Sequence, residues 1–302
     1  MRGFAEHVMD GPRGPIAYSD SGTGPQTGTP IILLHGFPQT RAMWHGIAPE
    51  LAKSHRVICP DLRGYGASAK PLGTEHYSFR EMASDILALA DALDMGPIHL
   101  VGHDRGARTA HRLALDAPDA LRSLTLMDIV PTHTLFRDLN REVALGYYHW
   151  FFLAQANPLP EQMIAADPDR YFMSCLTGWG TSDTPAFDQT AVAAYAKAWR
   201  DPETIRAMCD DYRAGASLDV ALDASDLDKR VTCPALVLYA KGGLMDKSFD
   251  MHGVWTEKLS NFTSAGLPGG HFFPDHYPRE TLAHLTGFLN ALPGSPAPSA
   301  PA

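Results

Sequence analysis

The chain is poor in cysteine, with four in 302 residues (Cys59, Cys175, Cys209 and Cys233) and no Cys-x-x-Cys pair. Isolated cysteines among apolar neighbours usually act as small buried hydrophobes, and these are read that way. Positive charge is also scarce: 25 Lys and Arg stand against 34 Asp and Glu, a formal net charge of −9. That balance argues against nucleic acid or an anionic membrane as the main partner. An anionic substrate would need local cations for its capture, since the overall field gives no help. No apolar run approaches the length of a bilayer span. The stretch Met1 to Asp10 carries Glu6, His7 and Asp10 and has no apolar core, so it does not read as a signal peptide and a cytoplasmic location is expected. No His-Glu-x-x-His and no clustered metal-ligand spacing occurs, and Gly242-Gly243 makes no phosphate loop; neither metal nor organic cofactor is expected.

What is present is an alternation of short apolar runs with longer helical patterns. It predicts an α/β fold with a mostly parallel sheet flanked by helices. The buried-strand candidates are Ile31 to Leu34, Val57 to Cys59, Ile98 to Val101, Leu124 to Met127 and Ala235 to Tyr239. Turn residues around Ile16-Ala17-Tyr18, between Gly11 and Gly24, predict an antiparallel hairpin ahead of them. Ser78-Phe79-Arg80-Glu81 reads as a capping box. Behind it Phe79, Met82, Ala83, Ile86, Leu87, Ala90 and Leu93 recur at helical spacing. From about Pro131 to Gly215 the alternation stops and aromatics become dense, which predicts a helical insertion, a cap. The expected division is a core of residues 1–130 and 216–292, a cap of 131–215 and a Pro-, Ala- and Ser-rich disordered tail of 293–302.

The strand Ile98 to Val101 runs into Gly102-His103-Asp104-Arg105-Gly106 and then directly into a helix ending near Ala117, before Pro118. This spacing matches the nucleophile elbow Gly-x-Ser-x-Gly with Asp in place of Ser. The residues two before and two after the nucleophile must be small so that strand and helix can approach. The helix N-terminus then stabilises negative charge at Asp104. Asp is equally a favoured N-cap, so the turn taken alone fits a structural cap as well as a nucleophile.

Further motifs appear in order. His35-Gly36-Phe37-Pro38 follows the first buried strand, Asp61-Leu62-Arg63-Gly64-Tyr65-Gly66-Ala67-Ser68 the second, and Gly269-Gly270-His271 lies near the end. With the elbow they resemble the oxyanion-hole turn, a structural loop and the catalytic-His turn of α/β hydrolases, in the branch of epoxide hydrolases and dehalogenases. The resemblance covers nearly the whole chain and implies an α/β-hydrolase fold with an inserted helical cap. A carboxylate is already ionised at neutral pH, so Asp104 would displace a leaving group from an sp³ carbon without a base. His271 would then activate the water that hydrolyses the resulting ester, with the Phe37 and Arg105 N–H groups as oxyanion hole.

Arg105 and Arg108 narrow the choice. Many relatives carry Trp after the nucleophile, whereas His-Asp-Arg-Gly-Ala-Arg resembles fluoroacetate dehalogenases. Two guanidiniums beside the nucleophile suit a substrate carboxylate, and Arg112 reads as a solvated helix residue. The same resemblance implies a halide pocket of His149, Trp150 and Tyr212, although periodicity alone reads Tyr147 to Phe152 as a buried helix face. Trp179 reads as core packing. For the acid behind His271, Asp128 is chosen and Asp246 stays open. His276 and His284, among fourteen histidines, read as surface or structural. The expectation is therefore hydrolysis of a small anionic haloacid, such as fluoroacetate, to glycolate and halide. The alternative is an epoxide hydrolase using Tyr212 with Tyr147 or Tyr148. A non-catalytic receptor on the same fold is a third reading, though such proteins usually lose a triad member. The resemblance also implies a homodimer.

Overall fold

A computed structural model of the chain describes residues 1–24, 28–178 and 185–293. Trp179 and the tail beyond Pro293 lie outside the described residues. Among the described residues one sheet runs β1 (Ala5–Gly11), β2 (Gly14–Asp20), β3 (Gly28–Leu34), β4 (His55–Pro60), β5 (Ile98–His103), β6 (Leu121–Met127), β7 (Ala235–Ala240) and β8 (Phe262–Leu267), with spatial order β1-β2-β4-β3-β5-β6-β7-β8. β1 and β2 pair antiparallel, β2 pairs antiparallel with β4, and every later pairing is parallel.

The five apolar runs all become strands. Ile31 to Leu34 are fully buried, as are all six residues of β5, because helices cover both faces of a parallel sheet. The hairpin sits earlier than its turn residues suggested: β1 begins at Ala5, and residues 12 and 13 make the turn. β8 is not among the expected strands. Phe262–Leu267 is an edge strand, mostly half-buried, and lacks the unbroken apolar run of a central one.

The strand order reverses at β3, whose neighbours are β4 on one side and β5 on the other. Such a switch point opens a crevice at the carboxyl ends of the strands. The His35-Gly36-Phe37 turn and the Asp104 turn both leave the sheet there.

Ser78 caps the helix Phe79–Ala92, accepting from the Glu81 N–H at 3.3 Å. The Glu81 carboxylate faces Arg13 and Arg63. Between β6 and β7 the described residues from Thr132 to Ser225 form helices and no strand. Their aromatics pack on one another: Phe172 stacks on Trp199 at 5.3 Å, and Tyr195 and Tyr212 are fully buried.

Arg112 is a correction. It is 2% exposed and binds Asp116 at 2.9 Å and Asp226 at 2.7 Å, which ties the helix Arg105–Asp116 to the end of Leu218–Ser225. Helical spacing could not reveal Asp226, which is distant in the chain. All four cysteines are unbridged, and Cys59, Cys175 and Cys209 are buried. No helix of the described residues is long and apolar enough to cross a membrane.

Candidate active site

Asp104 has φ 50° and ψ −116°, a strained conformation for a non-glycine residue. The turn is tight on both sides. A Cβ on Gly102 would overlap the Gly106 carbonyl, and one on Gly106 would overlap the carbonyls of Leu34 and His35. Asp104 sits at the N-cap position, yet its side chain makes no capping bond to the helix. Its Oδ1 instead accepts from the Phe37 N–H at 2.8 Å. The carboxylate thus points into the crevice toward the neighbouring turn. Its strain serves no cap.

His271 faces the same carboxylate. Its Nε2 lies 3.7 Å from Asp104 Oδ2, and its Nδ1 lies 2.7 Å from Asp128 Oδ2. Tyr147 Oη comes within 3.4 Å of Nδ1, and His103 Nε2 holds the His271 carbonyl at 2.8 Å. Asp128 also has positive φ (53°), and its Oδ1 accepts from the Ala240 N–H at 2.9 Å, which fixes the carboxylate between β6 and β7. Asp246 is engaged differently: its Oδ2 accepts from the Gly242 N–H in its own turn at 2.7 Å.

These contacts set the charges. Burial alone would raise the Asp104 carboxyl, but His271, His103, Arg105 and the Phe37 N–H together hold it below its ordinary value. Burial disfavours a charged His271, yet the hydrogen bond and charge of Asp128, with the charge of Asp104, outweigh it and raise the imidazole pKa. Burial lowers the pKa of His103 to about 4, so that ring is neutral at pH 7.

The two arginines near Asp104 differ. Arg105 is fully buried and donates to Asp211 through Nε at 2.9 Å and through Nη2, which also reaches the Asp211 carbonyl at 2.8 Å. Asp211 further accepts from Tyr65 Oη at 2.7 Å. Burial raises the Asp211 carboxyl, while three donors from Arg105 and Tyr65 favour its ionised form. Arg108 Nη1 donates only to neutral oxygens, the Val130 carbonyl and Thr132 Oγ1, each at 3.0 Å. Burial and the charge of Arg105 lower its pKa to about 10, so it remains a cation at neutral pH.

His149, Trp150 and Tyr212 converge on these groups. Tyr212 meets His149 at 5.4 Å and Trp150 at 5.3 Å between ring centroids, and Phe37 stacks on His149 at 5.7 Å. The Arg105 guanidinium lies 4.4 Å from the Tyr212 ring, and that of Arg108 lies 4.6 Å from Trp150. Burial drives His149 well below the ordinary imidazole pKa, so its ring is neutral. Tyr212 Oη is buried without a hydrogen-bond partner. Tyr147 belongs with this group. Tyr148 is 45% exposed.

Sequence reasoning missed Asp211 as the partner of Arg105 and Tyr65 as a further donor to Asp211. Both lie far from Arg105 in the chain, and only the loop Asp61 to Ser68 gave a hint. Among the described residues no group of three or more His, Cys, Asp or Glu side chains is placed to hold a metal.

Residues 29–275 match the family profile described as the alpha/beta hydrolase fold. The chain is 47% identical to a fluoroacetate dehalogenase from Burkholderia sp, over 96% of this chain and 95% of that protein. It is 31% identical to a soluble epoxide hydrolase from Corynebacterium sp. (strain C12), over 88% and 92%. A crystal structure from Nostoc sp PCC 7120, assigned to the alpha/beta hydrolases, superposes with a TM-score of 0.91 at 41% identity, covering 95% of this chain and 98% of that one. The profile match spans most of the sequence and the sheet carries the elbow at its switch point: this chain belongs to the α/β hydrolase fold family.

Proposed function

We propose that the chain is a hydrolytic dehalogenase that cleaves the carbon–halogen bond of a small haloacid, fluoroacetate or another haloacetate, through an ester formed on Asp104. The observation that carries this reading is a buried arginine, Arg108, bonded only to neutral oxygens in the pocket of an ionised Asp104. A buried cation without a counter-ion is costly, and a substrate carboxylate is the group that offsets it. The likeness to the Burkholderia fluoroacetate dehalogenase supports the same substrate class.

Asp104 Oδ2, the oxygen nearer His271, attacks the α-carbon in line with the departing halide. Arg108, with the remaining Nη1 of Arg105, holds the substrate carboxylate and reduces its repulsion from Asp104. His149, Trp150 and Tyr212 form the halide end, where the unpartnered Tyr212 hydroxyl donates to the leaving ion. Oδ1, already bonded to the Phe37 N–H, becomes the ester carbonyl oxygen, and the Phe37 and Arg105 N–H groups stabilise its oxyanion. Esterification removes the Asp104 charge, one of the influences that raise the His271 pKa. The imidazole is therefore more readily neutral when it must take a proton from water. Asp128 orients it through Nδ1 and stabilises the imidazolium that forms.

On this reading residues 131–215 act as the cap over a core of 1–130 and 216–292, and the protein works in the cytoplasm as a homodimer. Light scattering of the purified protein tests the dimer. Fluoride release from fluoroacetate, followed with an ion-selective electrode, tests the activity, and no release from any monohaloacetate overturns it. Turnover in isotopically labelled water should place label in the Asp104 carboxylate. Diol formation from a styrene oxide panel would instead favour the epoxide hydrolase reading, for which Tyr147 and Tyr212 are the buried tyrosines.

A further inference from the structure

We propose that Asp211 is a specificity-determining positioning residue: by cancelling the charge of Arg105 it limits the pocket to one substrate carboxylate, held by Arg108. The inference rests on the dehalogenase reading and adds a charge rule to it.

Asp211 lies on the helix Pro202–Ala216, one residue before Tyr212, and is fully buried. Both its carboxylate oxygens are committed, one to Arg105 Nη2 and the other to Arg105 Nε and Tyr65 Oη. Tyr65 comes from the loop after β4, so the carboxylate is gripped from the core side as well. One turn further along the helix, Gly215 leaves room for Arg105: a Cβ there would meet its Nη2 at 3.0 Å and Nη1 at 3.1 Å. The guanidinium is thereby fixed, with Nη1 left as a single unpartnered donor.

The charges then count simply. Arg105 and Asp211 form a closed pair, whereas no described carboxylate forms an ion pair with Arg108. Both guanidiniums lean on the Trp150 ring, at 5.1 and 4.6 Å, so the pair and the lone cation share one wall. Alongside the Asp104 carboxylate the pocket therefore presents one guanidinium, Arg108, that no described carboxylate bonds directly. A monoanion can pair with it. A second carboxylate meets no free positive charge and is repelled by Asp104 and Asp211. Without Asp211, Arg105 would become a second cation and the pocket would admit a dianion.

The test is binding of oxamate and oxalate at pH 7.5 by isothermal titration calorimetry. The two are nearly isosteric and differ by one negative charge. The wild type should bind oxalate at least about tenfold more weakly than oxamate. Asp211→Asn, with folding checked by circular dichroism and thermal unfolding, should shift that ratio at least about tenfold toward oxalate. A purely structural role would weaken both ligands in the same proportion, and that outcome overturns the proposal. So does a wild type that binds oxalate as tightly as oxamate, a result independent of any variant. Arg108→Gln should abolish binding of both, and retention of wild-type oxamate affinity would refute the charge count even if Asp211→Asn failed to fold. Fluoride release on the same preparation separates the two readings: a wild type that turns over fluoroacetate yet binds oxalate as tightly as oxamate leaves the dehalogenase reading standing and removes this one.

Discussion

His271 and Asp128 meet at 2.7 Å between Nδ1 and Oδ2, although 143 residues separate them in the chain. The contact orients the imidazole so that Nε2 faces the Asp104 carboxylate at 3.7 Å. Asp128 is itself fixed by the Ala240 N–H.

Asp128→Asn keeps the shape and removes the charge. The hydrolytic half of the reaction should slow by roughly 10³- to 10⁴-fold, the scale seen when a triad loses its acid. Because the Asp128 hydrogen bond and charge raise the His271 pKa, their loss lowers it and moves the acid limb of the hydrolysis profile to lower pH. Intact-protein mass spectrometry during turnover should show the Asp104 ester accumulating. An unchanged rate would assign the role to another acid.

Tyr212→Phe removes one hydroxyl from a site where it has no protein partner. Fluoride needs stronger hydrogen-bond donation on departure than chloride or bromide. The variant should lose about 100-fold in kcat/KM on fluoroacetate and only a few-fold on bromoacetate. Equal losses on both substrates would place Tyr212 in binding rather than in leaving-group stabilisation.

Asp219 provides a stability prediction away from the chemistry. Its Oδ1 accepts from the Phe79 N–H at 2.8 Å, Oδ2 is buried without a partner, and burial pushes the carboxyl up to about 8. The folded protein thus keeps a proton that the unfolded chain releases near a pKa of ~3.9. Stability therefore falls as pH rises from about 4 to about 8 and levels off above that. Asp219→Asn keeps the acceptor and removes the titration. Its Tm should match the wild type at pH 4 and exceed it by at least about 2 °C at pH 8 and above. A gap that is largest at low pH would contradict the assignment.

Gly106→Ala should disrupt the elbow, since its Cβ would overlap two backbone carbonyls that have no flexible end to move. A loss of about 1–3 kcal/mol in denaturant unfolding is expected, with activity falling further as Asp104 shifts. A variant with wild-type stability would show that the turn relaxes easily.

The sequence by itself determined the α/β alternation, the order of the turns, and the Asp in the elbow that makes Asp104 a candidate for attack at an sp³ carbon. These are local quantities: buried strands need apolar runs, and a strand–helix turn this tight needs glycine on both sides. It also brought Asp104, His271, Arg105, Arg108, His149, Trp150 and Tyr212 into view as candidates. Only the tertiary structure decided that the Asp104 side chain meets Phe37 instead of capping its helix, that Asp128 rather than Asp246 reaches His271, and that Arg112 is buried among acids. It also separated Arg105, closed by Asp211, from Arg108, which has no such partner. Each of these depends on which distant side chain packs within hydrogen-bond reach in a buried site. No spacing along the chain encodes that, because the partners lie on different strands and helices that only the fold brings together.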